Sequence, residues 1–204
     1  MKGTTYAVNE IFCALQGEGA KAGSRNVFIR FAGCNLRCNE KEHGFDCDTE
    51  FTSVYKTFTA SDLTHEAHQV WGSSKYYKRV ILTGGEPALQ IDESLIETLQ
   101  GAGFEVAVET NGTKPLPTGI DWISCSPKTA EHTLVLHHAD ELRYVRAVRQ
   151  GVPKPRIKAD HYYLSPAANT DGVQKENLKW CLKLVDENPM WSLSTQMHKL
   201  WGIR

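Results

Sequence analysis

Six apolar runs in this chain break off in nearly the same way, and that restricts the folds open to it. NVFIRF (26–31) leads into Ala32-Gly33-Cys34, RVILT (79–83) into Gly84-Gly85-Glu86-Pro87 and FEVAVET (104–110) into Asn111-Gly112. IDWISCS (120–126) leads into Pro127-Lys128 and HYYL (161–164) into Ser165-Pro166, while ELRYVRAV (141–148) makes the sixth. Apolar middles with polar or glycine ends suit a parallel β/α sheet, whose strands are covered by helices and whose ligands bind at the carboxyl edge. The segments between fit: helical periodicity runs over Ser61–Trp71 (capped by Ser61 or Thr59), Ile91–Gly101, and Val173–Glu187 ahead of Pro189. Tyr6–Phe12 alternates weakly and reads as a short strand. At 204 residues the chain reads as one domain, 1–204, with room for a sizeable core. It falls short of the roughly 250 residues of a complete eight-fold barrel.

The most distinctive chemistry lies just past the first of these runs. Cys34, Cys38 and Cys47 share the stretch CNLRCNEKEHGFDCDT (34–49), spaced C-x3-C-x8-C. Thiolates are soft ligands that suit zinc or iron–sulfur clusters. A structural zinc needs four protein ligands in a closed tetrahedron, and His43 would be the candidate for the fourth. A 4Fe–4S cluster held by three cysteines leaves one iron open to another ligand. Cys13, Cys125 and Cys181 are scattered and read as small buried hydrophobes.

Composition narrows the class. With 41% hydrophobic residues, 23% charged residues and a formal net charge of −1, the chain has the balance of a soluble globular protein. It lacks the basic excess of a nucleic-acid-binding surface. No apolar run approaches the roughly 20 residues of a membrane span. MKGTTYAVNEIF lacks the apolar core of a signal peptide. The expectation is a cytoplasmic protein with no nucleic-acid or membrane partner, in a compartment where clustered cysteines stay reduced and bind metal.

Other segments carry weaker signals. Leu15-Gln16-Gly17-Glu18-Gly19 combines turn glycines with the donor and acceptor types that read the edge of a heterocycle, though a plain surface loop has the same look. Arg30, inside an apolar strand, sits at an exposed end or faces an anion. His65 and His68 lie one helical turn apart and read as a solvated face. Arg143, Arg146, Arg149, Lys154, Arg156 and Lys158 read as a solvated surface, with a docking patch for an acidic electron donor as the functional alternative. The last segment, 191–204, is rich in aromatic, amide and imidazole groups. It reads as a packed tail that lines a pocket.

Together, LQGEG (15–19), FIRFAGCNLRC (28–38), CDT (47–49), LTGGEP (82–87), ETNG (109–112), SPK (126–128) and the terminal His198-Lys199 resemble one radical S-adenosylmethionine (SAM) family along almost the whole chain. That family is the 7-carboxy-7-deazaguanine synthases. LQGEG and the histidine-containing tail set it apart from the glycyl-radical activating enzymes, which share the cysteine loop and GGEP only. The family's usual C-x3-C-x2-C is lengthened here between Cys38 and Cys47.

The resemblance implies an incomplete (β/α)6-type barrel, a homodimer, and a lyase reaction. In that reaction 6-carboxy-5,6,7,8-tetrahydropterin becomes 7-carboxy-7-deazaguanine with loss of ammonia. It implies a 4Fe–4S cluster on Cys34, Cys38 and Cys47, with SAM reductively cleaved to a 5′-deoxyadenosyl radical by an electron from a donor such as flavodoxin. By motif match, SAM falls to Asp46, Cys47, Asp48, Gly85, Glu86, Ser126, Pro127, Lys128, Ser165 and Ala168. Substrate falls to Leu15, Gln16, Gly17, Glu18, Arg30, Thr83, His198 and Arg204, and Mg2+ to Thr49. Two positions depart from the family: Ser165-Pro166-Ala167-Ala168 stands where Gln-Pro is frequent, and Met197-His198 where Thr-His is frequent. The competing readings are another radical SAM enzyme acting on a related pterin or purine, and a Cys3His zinc module, which would have no use for GGEP or LQGEG.

Overall fold

The computed structural model describes residues 4–39, 47, 49–169 and 172–203. Its frame is a nine-stranded sheet. The strands are β1 (Tyr6–Leu15), β2 (Arg25–Phe31), β3 (Lys56–Phe58), β4 (Arg79–Gly84), β5 (Glu105–Thr110), β6 (Trp122–Cys125), β7 (His138–Arg146), β8 (Lys158–Pro166) and β11 (Ser192–Leu193). A small separate hairpin is made of β9 (Ala168–Asn169) and β10 (Gly172–Val173). The sheet order is β11-β8-β7-β6-β5-β4-β2-β1-β3. From β2 to β8 every neighbouring pair is parallel. Each new parallel strand lies beside its predecessor and the order never reverses, which is the winding of a barrel and not of a doubly wound sheet. β1 covers the free edge of β2 in antiparallel register and β11 covers β8, so the barrel stays open. This is the incomplete barrel that the sequence led us to expect.

The helices are α1 (Ala60–Trp71), α2 (Glu93–Gly101), α3 (Lys175–Glu187) and α4 (Met197–Trp201). The Thr59 side chain caps α1 by accepting from the Asp62 N–H, and Asp92 caps α2 through the Leu95 N–H. Fewer crossings carry helices than a regular (β/α)6 unit would have. Segments 111–121, 126–137 and 147–157 contain no α-helix, only the 3-10 turn Glu131–Thr133. Their prolines explain this. Pro115 and Pro117, Pro127, and Pro153 and Pro155 each remove a backbone donor and clash with a preceding turn. Leu134, Leu136 and Val152 in these loops pack where helices would otherwise lie.

Strand alternation sorts the chain into two chemistries. Val27, Ile29 and Phe31 of β2, Val80 and Leu82 of β4, and Val106 and Val108 of β5 join Leu63, Trp71, Leu95, Ile96 and Leu99 in one core beneath α1 and α2. Leu142, Tyr144, Leu164, Cys181, Leu184 and Trp191 form a second core beneath α3. The alternate positions face the barrel interior, where polar side chains lie among a few apolar ones such as Phe28, Ile81 and Ala107. Arg30 pairs in register with Thr83, Glu109 with Ser124, Ser124 with Glu141, and Glu141 with His161. One row of polar groups thus crosses the inside of the sheet.

Element ends differ in places from expectation. β1 runs on to Leu15, and β7 and β8 begin earlier than their apolar runs, at His138 and Lys158. The cation-rich stretch requires a correction. Arg143 is buried and ion-paired on the inner face, while Arg149, Lys154, Arg156 and Lys158 are exposed. The terminal segment is packed only in its first part: Trp191 and Ser194 are buried, while Lys199, Leu200, Trp201 and Ile203 are exposed. Trp191 is buried and meets Tyr144 and Tyr162 edge-on, at ring separations of 5.8 and 5.4 Å. Of the three scattered cysteines, Cys125 and Cys181 are buried. Cys13 is half-buried, and its sulfur accepts from the Arg25 Nε–H. Burial pushes the Cys125 thiol up to about 12 and that of Cys181 to about 11.

Two predictions follow from this packing. Gly84 has φ +131°, and a Cβ there would meet the Phe31 backbone. Gly84→Ala therefore lowers the unfolding free energy by about 3 kcal/mol in urea titration; a loss under about 1 kcal/mol would mean that the turn tolerates a side chain. Iodoacetamide at pH 8 labels exposed Cys47 in the native metal-free protein and spares Cys125 and Cys181 until denaturant is added. Mass spectrometry reads the outcome, and native labelling of Cys125 would contradict its burial.

Candidate active site

At the carboxyl ends of the strands the structure opens a cavity of ≈ 890 Å³. Cys34, Cys38 and Cys47 lie in its wall, with Gly85, Ser126, Lys128, Ser165 and Ala168. So do Leu15, Gln16, Gly17, Glu18, Arg30, Thr83 and His198, as well as Thr49. These residues come from segments spread over nearly the whole sequence. Two other motif-matched residues stand apart. The Glu86 side chain is fully buried outside the cavity lining, and Pro127 borders a smaller neighbouring cavity of ≈ 270 Å³. Asp46, Asp48, Arg204 and the alternative ligand His43 lie outside the described residues.

The cysteine loop is anchored by backbone contacts that only glycine permits. The Gly85 N–H donates to Phe31 O at 3.2 Å and the Glu86 N–H to Gly33 O at 3.0 Å. A Cβ on Gly85 would collide with the Gly33 backbone and the Cys34 side chain. Glu86 completes the joint. Its carboxylate accepts from the Thr110 hydroxyl at 2.7 Å, the Asn111 N–H at 2.7 Å and the Ala88 N–H at 3.0 Å. Asn111 in turn donates to Asn35, inside the cysteine loop, at 3.1 Å. GGEP, ETNG and the cysteine loop therefore form one braced unit.

The long spacer closes at its base: the Cys47 N–H donates to Cys38 O at 3.3 Å. Among the described residues no three His, Cys, Asp or Glu side chains converge on one point as a single metal ion would require. A cluster imposes a different condition, because each thiolate takes a different iron. Three cysteines around one cavity wall fit that donor set. Burial raises the Cys38 thiol above its ordinary value, against the pull of the nearby Lys128 ammonium. Lys128 donates to Ser126 Oγ at 2.6 Å, and burial, reinforced by the Arg143 charge, lowers its pKa. Ser165 Oγ is buried in the same cavity lining with no hydrogen-bond partner among the described residues, so it has capacity for a polar ligand.

LQGEG and the tail supply another part of the cavity lining. Gln16 donates from Nε2 to Glu109 Oε1 at 2.9 Å, and its own Oε1 accepts from the Glu18 N–H at 3.1 Å. Thr83 donates to Glu109 Oε2 at 2.9 Å. Arg143 pairs with Glu18 and, at 3.3 Å, with Glu109. Burial alone would raise the Glu109 carboxyl, but the Arg143 charge and the bonds from Gln16 and Thr83 hold it below the ordinary range. Arg30 bonds Glu10 through Nε at 2.7 Å. The tail docks on the loop: Met197 N–H donates to Gly17 O at 2.9 Å, Gly19 N–H donates to Ser194 Oγ at 3.0 Å, and His198 sits where a Cβ on Gly17 would be. Glu109, Glu141, Arg143, Asn35 and Asn111 were not among the expected site residues. A period-two reading of FEVAVET and ELRYV would have pointed the first three inward.

No protein-family profile matches the chain. Individual relatives do. The 7-carboxy-7-deazaguanine synthase of Bradyrhizobium diazoefficiens is 39% identical over 98% of this chain and 100% of its own. That of Bacteroides thetaiotaomicron is 40% identical over 97% and 98%, and that of Caulobacter vibrioides 38% over 98% and 99%. Among solved structures, the crystal structure of QueE from Escherichia coli shares the fold, with a TM-score of 0.70 over 95% of each chain at 23% identity. With relatives this similar along nearly the full length, the chain belongs to the 7-carboxy-7-deazaguanine synthase family.

Proposed function

We propose that this chain is a radical SAM lyase that converts 6-carboxy-5,6,7,8-tetrahydropterin to 7-carboxy-7-deazaguanine with release of ammonia. The observation that carries the reading is one cavity whose lining brings the three cysteines together with Leu15, Gln16, Gly17, Glu18, Arg30 and His198. Cys34, Cys38 and Cys47 would hold a 4Fe–4S cluster, which when bound supplies the electron for reductive cleavage of SAM to a 5′-deoxyadenosyl radical. Gly85, which leaves space beside Cys34, and Ser126, Lys128, Ser165 and Ala168 would seat SAM. Glu86 acts from behind, by holding the loops that carry those residues. Asp46 and Asp48 join the SAM site, and Arg204 the substrate site, on motif match alone.

Arg30 is the residue for the substrate carboxylate. Its Nε is engaged by Glu10, and its two terminal nitrogens have no protein partner among the described residues. A planar guanidinium offering two parallel donors suits a carboxylate. Thr49 offers an oxygen ligand at the same wall. Together with substrate oxygen and waters it forms a plausible minimal Mg2+ site. Gln16, Glu18 and Glu109 offer polar groups to the heterocycle, and His198 on the docked tail closes over Gly17.

We place the protein in the cytoplasm as a homodimer, and among the described residues no helix is long and apolar enough to cross a membrane. Its electron donor is an acidic flavodoxin-like protein that docks near the exposed Arg149, Lys154 and Arg156.

Anaerobic reconstitution with iron and sulfide, then SAM, reductant, Mg2+ and carboxytetrahydropterin, tests the reading by mass spectrometry. The expected products are 5′-deoxyadenosine and carboxydeazaguanine together. Deoxyadenosine alone would retain the radical chemistry and discard the substrate, and neither product would discard both. Arg30→Met raises KM about 10- to 100-fold with a smaller effect on kcat, the equivalent of about 1.5–3 kcal/mol for charge-assisted hydrogen bonds. An unchanged KM would remove Arg30 from the substrate site. Reduction by the flavodoxin slows as ionic strength rises, and a rate indifferent to salt would sink the docking patch.

A further inference from the structure

One arginine in the cavity floor has no part in the reading above. The Arg143 side chain is 7% exposed, and each of its nitrogens is directed at a carboxylate. Nη1 meets Glu18, Nη2 lies 3.3 Å from Glu109 Oε1, and Nε lies 3.5 Å from Glu141 Oε1. These carboxylates come from the loop after β1, the end of β5, and β7 itself. Glu141 stands outside the cavity lining and works structurally, accepting from the Ala20 N–H at 2.8 Å and from the Ser124 hydroxyl. Glu18 and Glu109 face the cavity. Its two terminal nitrogens each hold a cavity carboxylate, while Nε, 3.5 Å from Glu141 Oε1, makes no hydrogen bond among the described residues. The commitment the structure shows is to the carboxylates, so the arginine's use is indirect.

Counting acceptors shows what that use is. Glu109 Oε1 already takes Gln16 and Arg143, while Oε2 takes only Thr83. Glu18 meets Arg143 through Oε2. Lone pairs on both carboxylates therefore stay open toward the cavity. Two such acceptors match a ring edge with adjacent N–H donors, as in a 2-aminopyrimidin-4-one. The match holds only while both groups are ionised, since a protonated carboxyl presents a donor to a donor. Two carboxylates sharing a low-dielectric wall do not both ionise unless a cation lies between them.

We infer that Arg143 is a positioning residue that fixes Glu18 and Glu109 in orientation and keeps Glu109 charged, so that the pair reads the N–H edge of the substrate's aminopyrimidine ring. This rests on the pterin reading above. The other charged or titratable groups facing the cluster are Arg30 on β2, Lys128 after β6, Glu141 on β7, Tyr163 on β8, and His198 and Lys199 on the tail. Of these, Arg30 supports Glu109, and Lys128 faces Glu18 while repelling Arg143. Neither lies within salt-bridge distance of both cavity carboxylates.

The test is binding of pterin-6-carboxylate, an unreactive fluorescent analogue, to the reconstituted full-length protein with SAM. It is run between about pH 5.5 and 7.5, where the pterin keeps its N–H. Wild-type affinity is expected to stay level across the range. Arg143→Met weakens binding at least tenfold more at the acid end than at the neutral end, because a carboxyl now takes up a proton there. Arg143→Lys keeps the charge but not the fork, so it binds about tenfold more weakly at every pH. Arg143→Gln keeps a donor without the charge; if Arg143→Met does not fold, Arg143→Gln must show the acid-side loss. Loss of the same factor at every pH in the uncharged variants, or no loss, overturns the inference and leaves the pterin reading standing. Failure of the wild type to bind the analogue overturns both.

Discussion

Glu86 is buried without exposure at the point where three strand ends meet, and the site depends on what that carboxylate holds. It ties the turn after β4 to the end of β5 through Thr110 and Asn111, while its own N–H is bonded to Gly33 beside the cysteines. Three donors satisfy it, yet burial prevails and its carboxyl lies above the ordinary range. The sign of the linkage follows. A folded-state acid with a raised pKa holds its proton longer than the unfolded chain, so its contribution to stability declines as pH rises from the ordinary carboxylate range through the raised value. Glu109 has the opposite sign. Its carboxyl is depressed, so its contribution is present above the ordinary carboxylate range and is lost as pH falls through the depressed value. Glu86, inside the frame, is satisfied by neutral donors, while Glu109, in the cavity wall, is held charged by a guanidinium.

The same alternation that builds the cores supplies the site. Along β5, Val106 and Val108 turn toward α2 while Glu105, Ala107 and Glu109 turn inward. Along β7, Leu142 and Tyr144 turn toward the second core while Glu141 and Arg143 turn inward. The lower interior is filled by Lys21, which lies over the Trp122 ring and 3.0 Å from Glu105, itself 3.1 Å from Arg79. Only the carboxyl end is left open, and there the polar row borders the cavity. Polar groups pointing into a barrel would be destabilising unless they satisfied one another, and the pairings of Gln16, Thr83, Glu109, Ser124, Glu141 and the terminal nitrogens of Arg143 largely do so. Arg143 Nε alone of these lies 3.5 Å from Glu141 without a hydrogen bond among the described residues.

Much of this was legible in the sequence, because apolar runs that stop in glycine or polar residues report both strand direction and the location of the site. The parallel order, the three long helices and the cavity positions of Leu15, Gln16, Arg30, Thr83 and His198 all followed from local pattern or motif. What stayed hidden depends on tertiary register. Arg143 sits among other cations in the sequence, and only the alternation within ELRYV sets it apart from Arg149. The pairing of β7 beside β6, with Ser124 opposite Glu141, fixes which face that alternation turns inward. Glu86 reads as a ligand-facing residue from GGEP alone. Its orientation is set by donors on Thr110 and Asn111, on the neighbouring strand's end. The sequence pattern placed no helix in the three proline-bearing crossings, and the structure has no α-helix there.

The long spacer between Cys38 and Cys47 shows why a local departure from pattern need not disturb the chemistry. Its ends are joined by the Cys47 N–H to Cys38 O bond, and the cysteine loop is fixed from the other side by Gly85, Glu86 and Asn111. Loop-closure entropy grows only with the logarithm of length. Extending the family's two-residue spacer to the eight residues found here is two doublings, roughly 1.2 kcal/mol. Extra residues inserted outside a closed base therefore change stability by little and leave the cysteine positions to the strand ends. A change to the base itself would act differently, because the cysteine loop is held by the backbone bonds of Gly85, Glu86 and Cys47 and by the side-chain bond from Asn111 to Asn35. The tolerance of this fold thus lies in the length of its loops, and its constraint in the few backbone bonds where those loops begin and end.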